Sequence, residues 1–147
     1  MTPFNLEKTA YEYLRAANVE NHVPVVYGYG FRTLSAWGFP KAVGNNDIYY
    51  AIVMEWLEGE QLSTENITLE HAYNLLKGLS KIHQAGVLHY DIYRRNMMVI
   101  PQQARALWID FSCAHMNEEY AFGIETEAAS GVILELVIPP HFQTNFF

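Results

Sequence analysis

Between two apolar runs the sequence carries a short polar stretch, "LHYDIYRRNMM" (88–98), in which His89 precedes Asp91 by two positions and Asn96 follows it by five. A second apolar run, "ALWIDFS" (106–112), delivers Asp110. Asp110 and Asn96 make an oxygen donor pair suited to a hard cation such as Mg²⁺, which takes one or two protein carboxylates and fills its shell with phosphate oxygens and water. Asp91 is then left to accept a proton or to orient a nucleophile. His89 is placed to brace the loop by hydrogen bonding or to move a proton. Arg94 and Arg95 either hold an anion or pair with nearby acids such as Asp91.

The composition narrows the field. The chain has 147 residues, half of them hydrophobic and 14% aromatic, enough for one compact core and too apolar for a disordered segment. A formal charge of −7 argues against a nucleic-acid surface or an anionic-membrane surface, because such binding is dominated by Lys and Arg. The single cysteine, Cys113, rules out a disulfide framework within the chain and is expected to be buried and inert. No apolar stretch reaches the ~18 to 20 residues of a membrane span. The opening "MTPFNLEKTAYEYL" does not read as a secretory signal, so the expected compartment is the cytoplasm.

The positioning elements follow from pattern. Thr2 as N-cap and Pro3 at the first helical position open a helix whose buried face is expected at Phe4, Ala10, Tyr11, Leu14 and Ala17. "VPVVYGYGF" (23–31) and "DIYYAIVMEW" (47–56) read as strands around the turn-rich "SAWGFPKAVGNN". "LEGEQLSTEN" (57–66) reads as a linker, and 68–86 as an amphipathic helix with Leu69, Ala72, Leu75, Leu76, Leu79 and Ile82 on one face and Gly86 as its stop. "MMVI" and "ALWIDF" are expected to pair as a hairpin across "PQQAR", and 127–138 to form a last helix broken by Pro139 and Pro140. Tyr49, Tyr50, Met54, Trp56, Met97, Met98 and Trp108 are expected in the core.

In this order the pieces resemble protein-kinase-like phosphotransferases. "HYDIYRRN" with "LWIDFS" looks like their HxDxxxxN loop and DFG-type metal motif, in a version with Arg before Asn and Ser last that is similar to fungal kinase-like proteins. "KIHQAGVLH" resembles the helix entering that loop, "VMEWLEGEQL" the hinge between two lobes, and "EKTAYEYL" the αC helix with Glu7 at its ion-pairing position. The resemblance implies an α+β class and a truncated kinase-like fold: a reduced N-lobe over 1–58 and a reduced helical C-lobe over 59–147. It also implies catalytic roles for Asp91, His89 and Asp110, and Asn96 with Asp110 on Mg²⁺ if a metal binds. Glu55, Leu57 and Arg95 would meet a nucleotide if one binds.

The departures shape the functional reading. Only six residues precede Glu7, so the 147 residues hold no Gly-rich phosphate loop or strand lysine upstream of that helix, and nothing in the spacing recommends Lys8 or Lys41 as a substitute. Glu7 without its lysine is expected in solvent or beside an arginine. Phosphoryl transfer is mostly positioning and electrostatics, and the absent parts supply much of both. Three readings result. The leading one is a retained inter-lobe cleft turned to small-molecule binding and ATP-independent acid–base catalysis of an isomerase, cyclase or dehydratase kind, with no cofactor. The others are a non-catalytic pseudokinase-like interaction module, and an ATP- and Mg²⁺-dependent phosphotransferase completed by a partner chain. Apolar surface left uncovered at 3–17, 23–31 and 47–56 predicts a homodimer or a covering protein partner.

Overall fold

A computed structural model describes residues 2–33 and 48–138. These fall into two compact units, Val25–Trp56 and a larger one made of Met1–Pro24 with Leu57–Phe147. The first helix therefore groups with the helical part of the chain, whereas the sequence organisation assigns it to the first lobe.

In the smaller unit β1 (Val26–Thr33) and β2 (Ile48–Met54) form an antiparallel ribbon in the register Tyr29–Ile52 and Phe31–Tyr50, with an irregularity between Val26 and Gly28. Its open end is closed by Glu55 N–H donating to the Val25 carbonyl and Val25 N–H donating to Glu55 Oε1, both at 2.9 Å. Tyr49, Tyr50 and Trp56, expected in the core, are exposed instead. A two-stranded ribbon has two faces and, among the described residues of this unit, no second layer to cover either. The turn-rich stretch 35–46 lies outside the described residues.

The larger unit begins with α1 (Pro3–Ala16), where Thr2 Oγ1 accepts the Asn5 N–H and Pro3 needs no donor. It buries Ala10, Tyr11 and Leu14, while Phe4 is half-buried and Ala17, past the last turn, is exposed. α2 (Leu69–Gln84) is capped by Thr68, whose hydroxyl accepts the His71 N–H at 3.0 Å, and Gly86 takes φ +87° just beyond its end. Ala72, Leu75, Leu79 and Ile82 line its buried stripe as expected, joined by His71, Gly78 and His83. Leu69 is exposed, because the first helical residue precedes the stripe's contact with the sheet.

That sheet is the expected hairpin, β5 (Met97–Val99) against β6 (Ala106–Trp108), with Met97 opposite Trp108. It gains a third strand, β3 (Glu60–Gln61), from the segment read as a linker. Two residues carry too little pattern to mark a strand; pairing with β5 defines it. A small β4 (Val87–Leu88) pairs with β7 (His115–Met116). α2 lies on β6, pinned by Trp108 Nε1 donating to the Leu75 carbonyl at 2.8 Å and Asn74 Nδ2 donating to the Ala104 carbonyl at 2.7 Å. α3 (Phe122–Val137) packs on α2 and begins five residues before the expected start at 127. Leu62, Leu75, Leu79, Ile82, Met97, Leu107, Trp108, Phe111 and Ile133 are all but closed to solvent and form the core. Pro139 and Pro140 lie outside the described residues. The class is mixed helix and sheet, compatible with a reduced kinase-like α+β fold. Among the described residues no helix is long and apolar enough to cross a membrane.

At Gly78 the turn before β1 lies close against α2: a Cβ added there would lie 2.9 Å from His22 Cβ. Ala ordinarily gains about 1 kcal/mol over Gly inside a helix. Here overpacking, at about 1–3 kcal/mol, outweighs that gain, so Gly78→Ala lowers the melting temperature in a thermal scan.

Candidate active site

The polar loop is held by what surrounds it more than by its own bonds. After β4 the chain passes His89, enters the left-handed region at Tyr90 (φ +69°), and turns through a single 3₁₀ turn at Arg94–Asn96 into β5. A bulky residue at positive φ is strained and persists only where its surroundings impose it. Here the imposing group is Glu125 of α3. Its Oε1 accepts the His89 N–H at 2.9 Å and its Oε2 the Tyr90 N–H at 2.8 Å, while His83 Nε2 lies 2.9 Å from Oε1. His83 also stacks on Phe122, the first residue of α3, at 4.5 Å. Burial pulls the Glu125 carboxyl upward, but the bonds from His83, Tyr90 and His89 outweigh it and hold it below the usual carboxylate range.

Within the loop, Asp91 is fixed from two sides. Arg95 Nη2 donates to its two oxygens at 3.0 and 3.2 Å, and Asn96 Nδ2 donates to Oδ2 at 2.8 Å. Asn96, itself buried, also donates to the Asp91 backbone carbonyl at 2.9 Å, so it braces the loop as its position suggests. Its Oδ1 is then the acceptor atom left for a cation. Arg95 is partly exposed and lies over the Tyr93 ring at 4.3 Å, so its charge goes to Asp91 and an aromatic face.

His89 is fully buried. Its Nδ1 accepts the Asp91 N–H at 3.2 Å, its Nε2 lies 2.8 Å from the Ile109 carbonyl, and burial pushes its basicity down. Both ring nitrogens are engaged within the protein, which gives this side chain a bracing geometry. The ring belongs to a stack: Tyr11 and Phe111 stand 5.3 Å apart, and Phe111 and His89 4.7 Å.

Asp110 follows β6 and is exposed, with φ +61° turning its carboxylate outward. Ser112, in place of the glycine of the resembled motif, donates its N–H and its hydroxyl to Asp110 Oδ1. Glu7 is not in solvent. It is half-buried near the Phe111 N–H, and burial first, then the charge of Asp110, push its carboxyl above the usual range. Lys8 sits 4.0 Å from Glu12, one turn along α1, and Lys41 lies outside the described residues. Cys113, expected buried, is exposed because it sits on the turn after Phe111 rather than under it. Glu55, the hinge-type carboxylate, spends Oε1 on its own unit's backbone, and Leu57 is half-buried. Among the described residues no cluster of three or more His, Cys, Asp or Glu could hold a metal; the donor pair Asn96 and Asp110 would need oxygens from a ligand. An open, largely apolar cavity of about 540 Å³ flanks the loop, lined by Leu88, Tyr90, Ile92, Tyr93, Tyr120 and Ile124 among others.

Sequence reasoning missed Glu125 and the place of Tyr11 in the ring stack. A signal for the former existed: Glu125, Ala129 and Ile133 recur every four residues, and all three are buried.

The ordered loop, the outward Asp110 and the ring stack are compatible with a reduced protein-kinase-like fold, and two partial similarities support that superfamily. No family model matches the chain. Two curated proteins are similar to it in part. One is the KEOPS complex subunit Bud32 of Pyrococcus abyssi, 30% identical over 92 residues, which are 58% of this chain and 38% of that protein. The other is a probable serine/threonine-protein kinase of Dictyostelium discoideum, 35% identical over 63 residues, which are 37% of this chain and 10% of that protein. The chain thus spans well under half the length of either relative.

Two carboxylates give opposite pH responses. Glu125 has a folded-state pKa below its ordinary 4.5, so its contribution to stability is present above that pH and is lost as pH falls through the folded value. Glu125→Gln, which leaves buried donors poorly matched, loses about 1–3 kcal/mol at pH 7, and its deficit narrows below pH 4.5 in denaturant titrations. Glu7 has a raised folded-state pKa, so its ionised form weakens the fold once pH passes that value. Glu7→Gln therefore melts higher than the parent at pH 7, and the two converge below pH 4.5.

Proposed function

We propose that this chain carries the acceptor-and-metal part of a kinase-like phosphotransferase, with the nucleotide phosphates held by groups beyond those described. The observation that carries this reading is the assembled loop: Asp91 fixed by Arg95 and Asn96, with Asp110 turned outward beside the Tyr11–Phe111–His89 stack. A carboxylate held by N–H donors from Arg95 and Asn96 suits the orienting of an acceptor hydroxyl, which asks for position more than for strong basicity. The hard oxygen donors Asn96 and Asp110 beside this loop are parts that a nucleotide-free acid–base reaction has no use for, and for that reason we favour phosphotransfer over the repurposed cleft.

The donors present fit Mg²⁺. Asp110 is an exposed carboxylate, and Asn96 has its amide nitrogen spent on Asp91, so both offer hard oxygens of the kind Mg²⁺ takes. When bound, the ion would neutralise phosphate charge. The chain's own part is to fix Asp91 at the acceptor and to keep Asp110 outward through Ser112. Glu7 is half-buried with its carboxyl pushed above the usual range, so a cation from another segment or a partner chain placed beside it would favour its ionised form. The similarity to a KEOPS complex subunit, of which the chain spans 38%, supports work within an assembly. So do the exposed Tyr27, Phe31 and Tyr50 of the β1–β2 ribbon, which a second copy or another protein would cover. The aromatic cavity beside the loop supports an acceptor with an apolar or aromatic body.

Titration calorimetry with ATP and Mg²⁺ tests the proposal. Binding is expected to require the metal and to weaken by about tenfold or more in Asp110→Ala. Asp91→Asn keeps that binding and, in the completed assembly, slows transfer by about 10²–10⁴. Turnover of a metabolite without nucleotide would replace this reading with the acid–base one. Failure to bind MgATP, alone and with partners, would leave a non-catalytic interaction module.

A further inference from the structure

The open cavity beside the Asp91 loop has two walls of different origin. Tyr90, Ile92 and Tyr93 come from the loop, and Tyr120, Ile124 and Ala128 from the start of α3 and the turn before it. Its apolar side chains stand well out in solvent, Tyr120 at 82% and Ile124 at 70% exposure, as befits a surface made to be covered. The charge around it is one-sided. Residues 106–147 hold six acidic residues and no Lys or Arg, so this stretch carries all but one unit of the formal charge of −7. Two of those acids border the cavity and are exposed: Glu119 precedes Tyr120, and Glu127 follows Ile124 by one turn on the same side of α3. On the loop side Arg95 gives its charge to Asp91 and the Tyr93 ring.

We propose that this cavity docks a basic polypeptide segment, which seats an aromatic or large apolar side chain between Tyr90, Tyr120 and Ile124 and sets lysines or arginines against Glu119 and Glu127. The apolar walls supply the burial, and the acids set orientation and reject acidic segments. Glu119 and Glu127 are roughly 12 Å apart along a helical path, which suits charges spaced along a chain better than one small cation. A nucleic acid would meet repulsion here instead of neutralisation. The inference deepens the phosphotransfer reading and rests on it for one point: the docked segment is the acceptor, its hydroxyl brought to Asp91, whose chain neighbours Tyr90 and Ile92 line the cavity.

The full chain is titrated, by fluorescence anisotropy, with a labelled Gly-Ser peptide carrying several lysines around one phenylalanine. Saturable binding is expected, weakening as salt rises. Alanine in place of the phenylalanine weakens it about tenfold or more, and a peptide with glutamates in place of the lysines does not bind. Ile124→Ser, at an exposed position whose folding circular dichroism checks, costs about tenfold. Leu69→Ser, an equally exposed apolar position on α2, leaves binding within about twofold. Equal binding of the phenylalanine and alanine peptides would reduce the surface to plain attraction of polycations and overturn the proposal, as would equal losses in the two serine variants. Peptide binding by a chain that never binds MgATP sinks the phosphotransfer reading and leaves the docking surface standing. MgATP binding without peptide binding sinks the docking surface alone.

Discussion

One buried carboxylate organises the loop on which the chemistry depends. Glu125 reaches from α3 to accept the backbone N–H groups of His89 and Tyr90 while paired with His83. Those two N–H groups cannot enter a helix or ladder at a left-handed turn, and buried donors without partners are costly. A carboxylate accepts from several donors at once, which a neutral side chain does less well. Once the turn is fixed, the His89 ring faces inward to Phe111 and Asp91 faces Arg95 and Asn96. The polar constellation thus inherits its geometry from a side chain that touches none of its reactive oxygens.

The second half of the site depends on burial in a different way. Phe111 anchors the turn that presents Asp110, because its ring is enclosed between Tyr11 of α1 and His89 of the loop. Three distant segments therefore share one aromatic column. Glu7, one turn before Tyr11 on the same helix, is drawn toward Phe111 by that packing, against its own electrostatic preference. Packing places the group and its charge tolerates the position.

The parts of this arrangement legible in the sequence were those with local signals. The capped helices beginning at Thr2 and Thr68 and the hairpin of 97–108 follow from capping chemistry and periodicity. So does the bracing role of Asn96, which acts on a residue five positions away. What escaped was set by partners far along the chain. β3 has two residues and no pattern of its own. Tyr49, Tyr50 and Trp56 look like core residues by type, yet a ribbon with no second layer among its described residues leaves them outside. Glu125 reads by type as a surface residue, and only its place on the Ala129–Ile133 stripe gives it away. Which donors it would meet is a tertiary fact.

The clamp joins residues 35 to 42 positions apart, with the acceptor on the later side. On a ribosome adding about 5–20 residues per second, the loop emerges several seconds before the helix that must hold it. Through that interval Tyr90 has no reason to stay at positive φ, and Asp91 has no fixed direction. The site is thus assembled last, by a late-arriving helix. A pause anywhere between Asn96 and Glu125 would hold a chain with every polar residue of the loop present and the His89–Tyr90 turn still unclamped.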